Sequence, residues 1–132
     1  MNTTNKILSE ISTGELFDKI TILQIKQDKI QDQDKQKIII TELASLNETL
    51  KSHIKINTEL EKLMNQLKNI NLKLWDIEEG KRECERQKKF GDKFIQLARN
   101  VYQENDKRAQ IKADINRLTN SHIVEIKSYK AY

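Results

Sequence analysis

The sequence contains no proline, only three glycines and a single cysteine in 132 residues. Proline and glycine are the residues that most readily interrupt a helix, so their scarcity favours long helices. The lone Cys84 cannot form a disulfide within the chain, and no Cys or His pair has the spacing of a zinc site. We therefore expect no metal, no cofactor and a cytoplasmic location.

Aromatic residues and long hydrophobic runs are also scarce. Aromatic side chains make up only 5% of the residues, so the core must consist mainly of Ile and Leu, which suit seams between helices better than a broad sheet. No stretch approaches the length that spans a membrane, and the first ten residues lack the features of a signal peptide. The length is that of one ordinary domain, so we expect a single helical domain over residues 1–132 with no membrane contact.

The charge is nearly balanced. The chain has 24 Lys and Arg against 20 Asp and Glu, a net charge of +4, and the two signs are interleaved without a block of either. The basic residues do not alternate with stacking aromatics, and the glycine patterns of phosphate-binding loops are absent. Nucleic acid is therefore an unlikely partner.

The first half of the chain predicts two helices. Ser12 and Glu15 have the spacing of a capping box, so helix 1 begins at Ser12, and its apolar positions extend to about Gln31. A second set of apolar residues recurs at helical spacing and predicts helix 2, with a break near Asn57 and Thr58. The residues of this second set are Ile39, Leu43, Leu46, Leu50 and Ile54.

The second half predicts a helical hairpin. Helix 3 has a clean apolar stripe at spacings of three and four, Phe90-Gly91-Asp92 is typical of a turn, and helix 4 extends from Asp92 to Leu118. The stripe of helix 3 consists of Leu60, Leu63, Leu67, Ile70, Leu74 and Ile77. The expected fold is thus all-α: a long antiparallel hairpin of helices 3 and 4, packed with one or two N-terminal helices and followed by a short irregular C-terminal segment.

Helix 4 departs from its apolar pattern at Arg108, where an aliphatic residue would ordinarily pack. A buried guanidinium needs a partner, because its desolvation otherwise costs several kcal/mol. Pairing the two arms of the hairpin about residue 90 places Arg108 opposite Asn71 to Trp75, where a cation–π contact with Trp75 is one possible pairing.

Polar residues at helical spacing accompany Arg108 on both arms of the hairpin. They define a candidate ligand-binding pocket between helices 3 and 4, or alternatively a network of ion pairs that fixes the register of the helices. The candidates are Asn71, Trp75, Glu78, Arg82, Arg99, Tyr102, Asn105, Arg108 and Lys112, with Glu15, Asp18 and Lys19 of helix 1 as secondary candidates. Glu15 already has a sufficient role in the cap, and a partly exposed helix flank explains Asp18 as well as burial does.

Four motifs carry a resemblance to a known family. They are GELFDKITIL, LWDIEE, LARNVYQENDKRAQIK and EIKSY. They resemble a family of small, uncharacterised helical proteins from bacteria and phages, over nearly the whole chain. The resemblance implies relatives but no activity. Its motif residues would include most of the candidates above together with Asp106, Glu125, Lys127 and Tyr129.

Two functions are compatible with these observations. The first is a non-enzymatic protein-binding or assembly module that uses a helical surface or self-association. The alternative is a site, or an enzyme, for an anionic metabolite in the polar pocket, with Glu78 as acid or base. No nucleophile or acid–base pair can be assigned from the sequence, so whether the protein is an enzyme stays open.

Overall fold

The computed structural model describes residues 5–132 and contains four helices in that range. They are α1 (Thr13–Lys29), α2 (Gln33–His53), α3 (Thr58–Gln87) and α4 (Asp92–Leu118). The helices α3 and α4 form the most extensive pair, which confirms the predicted all-α fold with a long hairpin. Within the described residues, no helix combines the length and the apolar character needed to cross a membrane.

Side-chain caps define where the first three helices begin. The hydroxyl of Ser12 accepts a hydrogen bond from the backbone N–H of Glu15 at 3.0 Å, as the sequence predicted. Asp32 caps α2 in the same way, and the side chain of Asn57 accepts from the N–H of Leu60 at 2.9 Å. The cap at Asn57 confirms the predicted break between the second and third helices. In a continuous helix, the N–H of Leu60 would bond to a backbone carbonyl instead of to a side chain.

The turn of the hairpin lies slightly earlier than predicted. Lys88 adopts the left-handed conformation with φ of 56°, and the N–H of Lys89 reaches the carbonyl of Cys84 at 2.9 Å, which closes the end of α3. Gly91 then precedes α4 with an ordinary negative φ of −82°. The ring of Phe90 packs edge-to-face on Phe94 with centroids 5.3 Å apart.

Helix α1 is central, since it packs against α2, α3 and α4. Towards α2 it contributes to a purely aliphatic cluster of Leu16, Ile20, Leu23, Ile39 and Leu43. Towards the hairpin it contributes Phe17 to a second cluster with Leu60, Leu67 and Ile115. The remaining face of α1 meets α4 through polar side chains, among them Glu15 and Asp18.

The chain reverses after α4. Asn120 takes a left-handed conformation with φ of 50°, and the N–H of Ser121 bonds to the carbonyl of Asn116 at 2.9 Å, a typical C-terminal cap. The following residues, 121–132, form an extended segment that we call the C-terminal arm. Lys127 and Tyr132 of the arm both bind the carboxylate of Asp106, so the arm lies along α4.

Candidate functional site

A buried ion pair joins α1 to α4. The residue Asp18 is only 1% exposed. Arg108 binds it with two parallel hydrogen bonds, Nε to Oδ1 at 3.0 Å and Nη2 to Oδ2. Asn71 of α3 donates to the same Oδ1 at 2.9 Å and to the hydroxyl of Thr21 at 3.0 Å. The pair therefore ties three helices together at one point.

This ion pair meets the need that the sequence predicted for Arg108. The hydrogen bonds that Arg108 donates to Asp18 raise the pKa of the guanidinium more than burial lowers it. A buried pair of this kind contributes little net stability, but losing one partner leaves an uncompensated charge and costs about 3–5 kcal/mol. Sliding α1 along the hairpin would separate Asp18 from Arg108 and leave both charges unpaired. The ion pair therefore favours a single register of α1 against the hairpin.

The sequence did not identify Asp18 as the partner. Its position in line with Ile22 and Ile25, four and seven residues later, was compatible with burial or with a partly exposed flank, and the structure shows full burial. The cation–π contact suggested for Arg108 and Trp75 is not among the described contacts. The guanidinium is instead bound through two hydrogen bonds to the Asp18 carboxylate.

A second group of charges follows one turn further along α4. The ammonium of Lys112 lies 2.7 Å from Glu15, 3.8 Å from Glu125 and 3.9 Å from Asp18. Glu15 therefore directs its carboxylate to α4, although its position in a capping box predicted a bond back to the N–H of Ser12. Because Glu125 belongs to the C-terminal arm, Lys112 joins α1, α4 and the arm.

The start of α1 sits unusually close to α4. The N–H of Gly14 donates to the side-chain oxygen of Asn116 at 2.7 Å. A Cβ at Gly14 would lie 2.7 Å from the carbonyl oxygen of Lys112, a distance that side chains do not tolerate. Only glycine allows this approach. Nothing in the local sequence around Gly14 indicates this close approach.

Glu125 of the C-terminal arm connects the start of α1 to the last turns of α4. It accepts hydrogen bonds from the hydroxyl of Ser12 and from Asn116 Nδ2, the latter at 2.9 Å. Burial would raise the pKa of Glu125, but these two hydrogen bonds and the charge of Lys112 lower it on balance. The carboxylate is thus held in its ionised form, as expected for a fixed acceptor.

An open cleft lies beside the Asp18–Arg108 pair, between α1 and α3, and we call it the α1–α3 cleft. Its volume is about 450 Å³, within the range of small-molecule sites. Most of the exposed surface of its wall is apolar, and charged residues contribute the rest together with Asn71. It is lined by Ile22, Ile25, Lys26, Asn71, Leu74, Trp75, Glu78, Glu79, Arg82 and Arg108.

A second opening lies on the other side of Arg108, between α4 and the C-terminal arm, and we call it the tyrosine groove. It encloses about 970 Å³. Its lining residues on α4 are Val101, Tyr102, Asn105, Asp106 and Arg108, and on the arm residues 126–132. The rings of Tyr102 and Tyr132 meet edge-to-face with centroids 5.1 Å apart.

The structure therefore distributes most of the predicted residues over two openings and does not gather them in one pocket between α3 and α4. Arg108 is the one candidate that both openings share. Lys112, Glu15 and Asp18 belong to the ion pairs between α1 and α4, while Arg99 and Lys19 are exposed and line neither opening. The α1–α3 cleft receives Asn71, Trp75, Glu78 and Arg82, and the tyrosine groove receives Tyr102 and Asn105.

Comparison with known proteins gives a family but no activity. The model of one protein family matches residues 7–132, and it is described as a family of unknown function (DUF6165). No curated protein and no solved structure matches the chain. The match covers nearly the whole chain, as the resemblance of its motifs implied, and leaves function to be argued from the geometry above.

Proposed function

The chain belongs to this family of unknown function, and from its geometry we propose that it is a binding protein whose α1–α3 cleft takes a small molecule with an apolar body and an anionic group. The observation that carries the proposal is the position of Arg108. One edge of its guanidinium is fixed by Asp18, while the side chain is still 30% exposed and lines the cleft.

Arg108 retains donors for a ligand. A guanidinium has five N–H groups. The described contacts use Nε and Nη2 on Asp18 and Nη1 on Asn105 at 3.3 Å, so Nη1 and Nη2 each keep one N–H. Because the group is already oriented and partly desolvated, an anion would bind it without first ordering the side chain.

The other charges of the cleft favour an anion. Lys26 and Arg82 have no ion-pair partner within residues 5–132, whereas Glu78 is neutralised by Lys81 at 3.2 Å. Glu79 is the remaining acid of the wall. The cleft thus has two unpaired cations, Lys26 and Arg82, and only one unpaired carboxylate, so its net charge is positive even before the remaining N–H groups of Arg108 are considered.

The apolar part of the wall suits a hydrophobic body. Ile22, Ile25 and Leu74 contribute aliphatic surface, and Trp75 contributes an aromatic plate. Small-molecule sites commonly combine such a wall with a few placed polar groups. The preferred ligand is therefore an aliphatic or aromatic carboxylate or phosphate, and the proposal assigns no chemical step to it.

The fluorescence of Trp75 can report ligand binding, because Trp75 is the single tryptophan of the chain and lines the cleft. Its fluorescence would be titrated with a panel of alkyl and aryl carboxylates and phosphates, each paired with its neutral amide or alcohol. We expect saturable changes with the anions and weaker ones with their neutral partners. Arg82→Gln should weaken binding roughly 10-fold, the loss of one charged hydrogen bond.

Arg86→Gln is the matched control, since Arg86 lies one turn further along α3, pairs with Glu83 and does not line the cleft. It should bind like the unaltered protein. Saturation with neutral and anionic compounds alike, or equal losses in Arg82→Gln and Arg86→Gln, would contradict the proposal. No response of Trp75 to any member of the panel would also count against it.

A second function, non-enzymatic binding of a protein or of another copy of the chain, is favoured by one observation. Ile7 and Leu8, which precede α1, are both 92% exposed, an unusual placement for adjacent large aliphatic residues. Light scattering across a concentration series would test it. Self-association that Ile7→Ser with Leu8→Ser abolishes would support this function, and a monomer at every concentration would argue against assembly.

A further inference from the structure

All three tyrosines of the chain converge on one groove. Tyr102 comes from α4, while Tyr129 and Tyr132 come from the C-terminal arm, and all three line the tyrosine groove. Tyr129 is 84% exposed and Tyr132 is 81% exposed. Aromatic side chains ordinarily bury most of their surface, so three rings left open around one groove provide surface for a planar ligand.

The charges of the groove are predominantly positive. Lys127 and Lys130 lie on the arm, and Arg108 lies on α4. The acid of the groove, Asp106, is occupied, because Lys127 and the hydroxyl of Tyr132 both donate to its carboxylate, the latter at 2.7 Å. Lys130 has no ion-pair partner among the described contacts. An anionic group would therefore meet favourable potential here.

We propose that the tyrosine groove is a second binding site, distinct from the α1–α3 cleft, for a ligand that combines a planar aromatic ring with a phosphate, such as a nucleoside monophosphate. The ring stacks on the exposed face of Tyr129 or Tyr132. The phosphate pairs with the ammonium of Lys130, and Arg108 adds positive charge to the wall of the groove.

The bonds to Asp106 prepare the arm for this role. They hold Lys127 and Tyr132 against α4, and the edge-to-face contact of Tyr132 with Tyr102 fixes the ring at one end of the groove. The ammonium of Lys127 lies 5.5 Å from the centroid of the Tyr129 ring, a cation–π contact that orients this second ring. Two of the three aromatic surfaces are thus positioned before a ligand arrives.

Fluorine NMR of protein labelled with 3-fluorotyrosine would test the site directly, because the chain would give three tyrosine signals. Single Tyr→Phe variants at 102, 129 and 132 assign them. Adenosine monophosphate should shift the signals of Tyr129 and Tyr132 saturably. Adenosine and inorganic phosphate, each carrying half of the required chemistry, should bind roughly 10-fold more weakly or not at all.

Two variants separate this site from the α1–α3 cleft. Tyr129→Leu, which keeps apolar bulk but removes the ring, should weaken adenosine monophosphate roughly 10-fold. Arg82→Gln, which alters the other cleft, should leave its affinity unchanged, and Trp75 fluorescence should not respond. The proposal of the α1–α3 cleft can thus fail while this one holds, and the reverse.

Several outcomes would overturn the inference. They are the absence of any tyrosine shift at millimolar adenosine monophosphate, equal binding by inorganic phosphate alone, and unchanged affinity in Tyr129→Leu. Affinity that rises steadily with the length of a single-stranded oligonucleotide would also overturn it, since that dependence is typical of a nucleic-acid track rather than of a site for one nucleotide.

Discussion

The two sides of α1 are built on opposite principles. Its side towards α2 packs Leu16, Ile20 and Leu23 against Ile39 and Leu43 in an aliphatic cluster. Its side towards α4 presents Gly14, Glu15 and Asp18, which meet amide and charged groups at hydrogen-bonding distance. The same 17-residue helix therefore has one interface stabilised by burial of apolar surface and one that depends on hydrogen bonds and ion pairs.

The two interfaces should differ in how well they tolerate substitutions. An aliphatic interface loses stability in proportion to the surface and volume removed, and neighbouring side chains can readjust. A buried polar interface adds little net stability when complete, but a single missing partner leaves a desolvated group unpaired. We therefore expect substitutions on the α4 side to be more damaging than their size suggests, and four variants test this contrast.

The largest effect is expected for Asp18→Asn. It removes the charge that compensates Arg108 and should lower the free energy of unfolding by about 3–5 kcal/mol. Urea unfolding followed by circular dichroism measures it. Asp28→Asn is the control, since Asp28 is exposed on the same helix, and it should change stability by less than about 0.5 kcal/mol.

If Asp18→Asn does not fold, replacing both partners keeps the comparison testable. Asp18→Leu combined with Arg108→Met exchanges the ion pair for apolar groups and should be more stable than either single variant, because no unpaired charge remains. A double variant as unstable as the sum of the single variants would show that Asp18 and Arg108 do not act as a pair.

Gly14→Ala should have the next largest effect. The added Cβ meets the backbone of Lys112, which cannot rotate away, so α1 must move and stability should fall by about 1–3 kcal/mol. Gly80→Ala adds the same methyl inside α3, where it meets only the flexible end of Leu97 at 3.1 Å. That variant should be neutral or slightly stabilising, because alanine favours helix. Thermal unfolding of the two proteins side by side distinguishes them.

Ile20→Val tests the aliphatic side. It removes one methylene from a residue that is almost fully buried, and it should cost about 0.5–1.5 kcal/mol. The exposed Ile38 of α2 provides the control, since Ile38→Val should leave the urea midpoint unchanged. A loss as large as that of Asp18→Asn would remove the contrast between the two sides.

Glu125→Gln should have the smallest effect, and its dependence on pH gives the direction. The folded-state pKa of Glu125 is lowered, so its contribution to stability is fully present above its unfolded pKa and is lost as the pH falls through the folded pKa. The variant should be less stable than the unaltered protein at pH 7 by under about 1 kcal/mol, because the side chain is partly exposed. The two unfolding curves should converge in acid, and a gap that widens instead would contradict the assignment.

Local signals in the sequence were sufficient for the helices. The cap at Ser12, the break at Asn57 and the limits of α4 depend on residues a few positions apart, and the structure confirms them. The demand for a partner at Arg108 was also readable, because one charged residue interrupted an apolar stripe. These features need no knowledge of how the helices are arranged.

The site depended on the arrangement itself. The pocket was expected between α3 and α4 because those helices could be paired through a turn, whereas no turn relates α1 to α4. Asp18 and Arg108 are 90 positions apart, and nothing in their local sequences indicates that they meet. The tyrosine groove depends in addition on the reversal at Asn120, which brings the arm back along α4.

The first turn of α1 has a further consequence for how the protein is made. The N–H of Thr13 donates to Ser121 and that of Gly14 to Asn116, acceptors that lie 108 and 102 positions later. Until residues 116 to 121 of a growing chain have left the ribosome, these two N–H groups can bond only to water. The bonds that complete the first turn of α1 thus depend on residues that are synthesised more than 100 positions later.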